Sequence, residues 1–210
     1  MIIVETNKEK DQFLEYWNNE ESKIIPIWED LERHPMTNGL SFLYVRFSNL
    51  DFILPFNHND CEKLEIDLST SNQTKWIWNK KGFLQTDIKV NNLKDVQTSL
   101  FFENFKIYPF GDKLEVLTSF YTRMGIRDGL GKSLPIMKWG EVLQGIVGEW
   151  DIKHTNNWVD ETMIPILSDI ERKGIQVDRE KFFDRWSDNK KSLWFSHTFT
   201  EYNPYTITSR

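Results

Sequence analysis

The chain has 210 residues, 39% hydrophobic and 28% charged, with a formal net charge of −6 and a pI near 5.3. That length holds one substantial domain, or a domain plus an appendage, and the composition is that of a soluble globular protein. The acidic balance argues against independent tight binding of nucleic acid, which rests on phosphate neutralisation by Lys and Arg. It leaves room for a component whose partner carries the basic surface, and for a nuclease with an acidic metal site. No apolar run approaches the roughly 18 residues needed to span a bilayer. The opening MIIVETNKEKDQ has no signal-peptide pattern, because charge follows a very short apolar run. The single Cys61 cannot close an intramolecular disulfide, and no Cys/His spacing suits zinc. No membrane association is expected, and a cytoplasmic setting is.

The chain opens with an apolar run at residues 2–4, read as a strand. Thr6 and Glu9 have capping-box spacing, and Phe13, Leu14 and Trp17 follow as a helical stripe. Residues 24–28 form a second apolar run. Residues 40–47 (LSFLYVRF) read as a strand, Ser48-Asn49 as a turn, and residues 51–56 (DFILPF) as its hairpin partner. Residues 59–72 are polar and loop-like. KWIW at residues 75–78 reads as a strand, residues 88–90 as a short extended piece, and residues 93–105 as a helix. Residues 113–124 give another helix, with Leu114, Leu117, Phe120 and Tyr121 in phase. Residues 125–135, with Gly125, Gly129 and Gly131, read as a loop. Residues 136–152 are ambiguous: Trp139, Val142, Leu143 and Ile146 suggest a helix, which Gly140, Gly145 and Gly148 weaken.

Residues 164–178 read IPILSDIERKGIQVD. Met163, Ile164, Leu167 and Ile170 share one helical face, and Arg172 and Lys173 suit the negative end of the helix dipole. Gly174 is the natural stop. Asp178 is placed to cap a further helix with Phe182, Phe183 and Trp186 on one side.

Pro165, Ile170-Glu171, Gly174 and Ile175-Gln176-Val177-Asp178 resemble the segment of family A DNA polymerases (the DNA polymerase I type) that leads from the 3′–5′ exonuclease domain into the polymerase domain. The strand–helix–strand–hairpin order, the phrase GLSF at residues 39–42 and the later His58 resemble the start of that exonuclease domain. Thr206, Thr208 and Arg210 resemble the Thr–x–Thr–Gly–Arg motif that opens the palm, with Ser209 in place of Gly. The fold implied is α/β (α+β): a ribonuclease H-like exonuclease domain, its mixed sheet carrying three first strands that are antiparallel, flanked by helices, with a C-terminal helical linker. The domains implied are residues 1–160 and 161–210.

The family's exonuclease holds two divalent metals on carboxylates. Here Glu29 matches the Glu of its first motif, while Ile27 stands in the place of the Asp. Asn79 and Lys81 match Asn–x–Lys of the second motif, and Phe83 replaces its Asp; Asp95 matches the acid that opens the next helix. No Tyr–x–x–x–Asp occurs between Gly125 and Trp158, where Glu149 and Asp151 are the late acids. The resemblance therefore implies an exonuclease-like domain without its metal-binding acids, serving structurally in DNA replication. Glu29, Asp95 and Asp151 are the catalytic candidates that remain. No cofactor is expected, and Mg²⁺ would be needed only if exonuclease activity survives. By the same resemblance Arg210, Thr206, Thr208, Asn79 and Lys81 would contact DNA. The implied partner is a palm and fingers portion encoded separately or downstream, in a phage-like split or truncated form acting in the host cytoplasm, with primer-template DNA reached through the assembled complex. Two alternatives stay open: an active metal-dependent 3′–5′ exonuclease with relocated carboxylates (Glu29, Asp30, Asp95, Asp151), and a non-catalytic interaction module.

Overall fold

The computed structural model describes residues 1–31, 33–104, 110–125, 129–152 and 156–174. The expected helix after Asp178 and the residues Thr206, Thr208 and Arg210 lie outside these. Two compact units result, Met1–Pro165 and Ile166–Arg210.

The first strand is β1 (Ile2–Ile3), followed by α1 (Asn7–Asn19). The capping box is formed: the Glu9 amide donates to Thr6 Oγ1 at 3.4 Å, and the Thr6 amide donates to Glu9 Oε2 at 2.9 Å. β-Branched and aromatic residues then suit a sheet buried on both faces. They form β2 (Ser22–Trp28), β3 (Leu40–Arg46) and β4 (Asp51–Pro55). A short strand β5 (Lys75–Ile77) and a single-turn helix α2 (Lys80–Phe83) come next.

The sequence pattern at residues 93–105 predicts one helix. Its first three residues instead form β6 (Leu93–Asp95), which pairs in parallel with β5, and the helix α3 (Val96–Asn104) starts only after Asp95. The ladder supplies backbone partners that override the helical phase of the side chains. The helix expected over residues 113–124 begins earlier, as α4 (Phe110–Arg123). The glycine-rich loop holds a short helix, α5 (Leu130–Ser133). The ambiguous stretch is a helix, α6 (Ile136–Gly148). Its buried stripe of Ile136, Trp139, Leu143, Ile146 and Val147 outweighs three glycines, at about 1.5–3 kcal/mol per large apolar side chain against about 1 kcal/mol per glycine. A widened π-helical turn (Val159–Met163) leads into α7 (Ile164–Lys173). Gly174, at φ 70°, ends α7 in the left-handed conformation, its amide donating to the Ile170 carbonyl at 2.9 Å.

The six strands lie in the order β1-β4-β3-β2-β5-β6. β2, β3 and β4 are antiparallel neighbours, while β5 and β6 run parallel to β2. This is the ribonuclease H-like arrangement, with helices on a mixed sheet; the two-residue β1 adds itself parallel to β4 at one edge. Alternation splits the core in two. Ile24, Leu43, Val45, Phe52 and Leu54 meet Phe13 and Trp17 of α1 on one face. On the other, Ile25, Ile27, Phe42, Tyr44 and Ile53 meet Trp139, Leu143 and Ile146 of α6.

The C-terminal end of α1 shows how charge is managed inside this fold. No basic residue stands in its last turn. Lys75, fully buried on β5, sends its ammonium there instead, donating to the carbonyls of Trp17 at 2.6 Å and Glu20 at 2.8 Å. It also lies 4.2 Å from the centre of a Trp17 ring. Burial brings its pKa down from 10.5 to about 8, against the opposing pull of Glu21 and Glu20. The unfolded chain therefore binds more protons than the folded one between pH 8 and 10.5. Stability is expected to rise with pH from about 8, by up to about 3 kcal/mol, since one pKa unit corresponds to about 1.4 kcal/mol. Burial raises the pKa of Tyr44 above its ordinary 10, so the tyrosine opposes further gain above that pH. Urea unfolding at pH 7.5, 9 and 10 checks this. A Lys75→Met variant should lose the rise, and a wild-type curve flat across this range would refute the assignment.

Candidate functional site

In this sheet the carboxyl end of β2 lies between β3 and β5, so chemistry carried by the sheet would be placed there. Ile27 and Trp28 end the strand, both buried. Ile27 points into the core formed with α6. Glu29 follows with its amide donating to the Gly39 carbonyl at 2.9 Å. Its carboxylate is partly exposed. Oε1 accepts from Asn57 Nδ2 at 2.7 Å, and Oε2 lies 3.9 Å from Lys132 Nζ. Asp30 is tied through its backbone: its amide donates to Asn38 Oδ1 at 3.2 Å, and its carbonyl accepts from Asn38 Nδ2.

The other candidates stand elsewhere and have structural partners of their own. Asn79 adopts a left-handed backbone, φ 57°, and its Oδ1 accepts from the Gly82 amide at 3.0 Å, capping α2. Lys81 is half-buried on α2. Phe83 is buried among Ile24, Ile77 and Leu93 in the core on the α1 face. Asp95 is buried and fully used: Oδ1 accepts from the Lys80 amide at 2.9 Å, and Oδ2 accepts from the Thr98 amide at 2.7 Å and its hydroxyl at 2.6 Å. It is the cap of α3. Asp151 is exposed after α6, where its charge partly offsets the burial that lowers the pKa of Lys23.

Glu29, Asp95 and Asp151 therefore do not converge. Among the described residues no three His, Cys, Asp or Glu side chains gather as a metal-binding group. Ile27 and Phe83, the positions that the resemblance assigns to acids, are buried hydrocarbon and offer no oxygen to a divalent metal.

Sequence reasoning missed a buried charge cluster. Lys80 Nζ is buried and donates to Asp160 Oδ1 at 2.8 Å, to the Asp160 carbonyl at 2.8 Å and to the Leu93 carbonyl at 2.7 Å. Asp160 Oδ1 also accepts from the Asp95 amide at 3.0 Å. Lys94 lies 3.9 Å from Asp160 Oδ2 and binds Glu161 at 2.6 Å. The cluster ties α2 and β6 to the π-helical turn that holds Asp160. One signal was readable: Asp160 stands four residues before Ile164, hence on the apolar side of a helix, where an acid needs a buried partner. Nothing local points to Lys80, 80 residues away.

No protein-family model matches the sequence, and no curated protein matches it. Among solved structures, the chain is similar to the catalytic core of RRP6 from Trypanosoma brucei, with 13% identity and a TM-score of 0.40. The match covers 56% of this chain and 34% of that one. The fold assignment rests on strand order and direction and not on this likeness.

Proposed function

We propose that the chain is the N-terminal part, or a subunit, of a family A DNA polymerase, and that its exonuclease-like domain supports the polymerase structurally. The observation that carries this reading is the state of the two replaced acid positions: Ile27 and Phe83 are buried in the two opposite cores. Neither position offers a carboxylate, and each side chain is used for packing. The order of the polymerase-like features adds support, since the Pro165 to Gly174 segment folds as a helix with a left-handed glycine stop.

In this reading the domain needs no metal. DNA is met by the assembled complex, with Thr206, Thr208 and Arg210 at the palm and Asn79 and Lys81 on the domain. The setting is the cytoplasm, that of the host if the protein is phage-encoded. No helix among the described residues is long and apolar enough to cross a membrane.

The test is association. A tagged full chain, co-expressed with the product of the reading frame encoding palm and fingers, should co-purify with it in fixed stoichiometry and raise its primer-extension activity. A palm and fingers portion that extends primers equally well alone, and does not co-purify, would refute the proposal.

A further inference from the structure

The backbone at the carboxyl end of β2 is bonded to a neighbouring segment. α5 and its flanking residues sit on it. The Lys132 amide donates to the Glu29 carbonyl at 3.0 Å, and the Asn59 amide donates to the Lys132 carbonyl at 3.0 Å. Gly131 lies so close to the strand that a Cβ there would overlap the Trp28 carbonyl and crowd that of Glu29. Both neighbours are backbone and cannot swing aside. Gly129 begins the helix at φ 62°, a conformation suited to glycine. Leu134 is fully buried, and its carbonyl lies 2.9 Å from His58 Nε2. His58 Nδ1 accepts from the Asp60 amide at 3.1 Å, which fixes the neutral ring with its proton on Nε2. Burial lowers the His58 pKa and favours that form.

We infer that residues 129–134 are an internal plug over the end of β2, and that Lys132 supplies Glu29 with the positive charge it would otherwise take from a divalent cation. The inference rests on the reading of this strand end as the place of the absent acids. Asn57 already holds Glu29 Oε1, and Lys132 faces Oε2. A cation approaching this carboxylate competes for oxygen with an ammonium 3.9 Å from Oε2. The backbone bonds seat the plug. The Lys132 side chain, partly exposed, contributes exclusion more than stability.

The test uses the full chain and Mn²⁺ alone. At about 1 mM, within the range where weak oxygen-ligand sites fill, Mn²⁺ should leave the Asn57 side-chain amide and Trp28 indole NMR signals sharp in the wild type. Lys132→Met keeps every backbone bond, and it should bring Mn²⁺-dependent broadening of both signals that Glu29→Gln then removes. In the wild type the Lys132 amide should be protected from hydrogen exchange, and Gly131→Ala should lower that protection at least about tenfold, as a local opening. Broadening in the wild type equal to that in Lys132→Met, or none in Lys132→Met, would overturn the role of Lys132. An unprotected Lys132 amide in the wild type would overturn the plug even if Gly131→Ala fails to fold. Neither readout involves the polymerase portion, so failure here leaves the association test standing.

Discussion

Asp160→Ala is expected to destabilise the domain by about 3–5 kcal/mol, the range for breaking a buried ion pair from one side. The Lys80 ammonium would keep the Leu93 carbonyl and the Asp160 backbone carbonyl, but would lose its carboxylate in a site closed to water. The Asp95 amide would lose an acceptor as well. Urea unfolding should show a large fall in midpoint with an unchanged slope. The paired replacement Lys80→Met with Asp160→Leu should recover part of the loss, because it removes the unpaired charge but leaves the Asp95 amide and the Leu93 carbonyl without these partners. A loss under about 1 kcal/mol for Asp160→Ala would mean that the pair behaves like a surface salt bridge.

Restoring acids to the replaced positions should be costly and should not restore chemistry. Ile27→Asp and Phe83→Asp each remove a buried side chain contributing about 1.5–3 kcal/mol by its transfer from water. Each also puts a carboxyl group into hydrocarbon, adding about 1–3 kcal/mol even when the group is neutral. Together the expected loss is about 2.5–6 kcal/mol per variant, read from thermal unfolding. No Mg²⁺- or Mn²⁺-dependent degradation of single-stranded DNA should appear, because Asp95 remains committed to Lys80 and Thr98. Variants as stable as the wild type would show that Ile27 and Phe83 stand at an accommodating surface and not in packed cores.

Much of the sheet is legible in the sequence, since β2, β3 and β4 carry dense runs of β-branched and aromatic residues and a plain turn at Ser48 and Asn49. The antiparallel order follows from the short hairpin. Less legible is any element made by a partner and not by its own pattern. Leu93–Asp95 is a strand only because β5 lies beside it, and its side chains fit the phase of the helix that follows. α5 has one turn and no amphipathic period, and what holds it is the strand end beneath Gly131. The candidate site divides the same way. That Ile27 and Phe83 stand where the resemblance would put acids is read from the residues themselves. Lys80 with Asp160, and Lys75 with the end of α1, are long-range polar pairs without local periodicity.

The most direct measurement is incubation of the purified full chain with 5′-labelled single-stranded DNA in Mg²⁺ and, separately, in Mn²⁺. On the proposed reading, with Ile27 and Phe83 in the places of acids, the DNA stays at full length. Stepwise shortening from the 3′ end, abolished by Glu29→Ala, would show a working exonuclease and contradict a purely structural role.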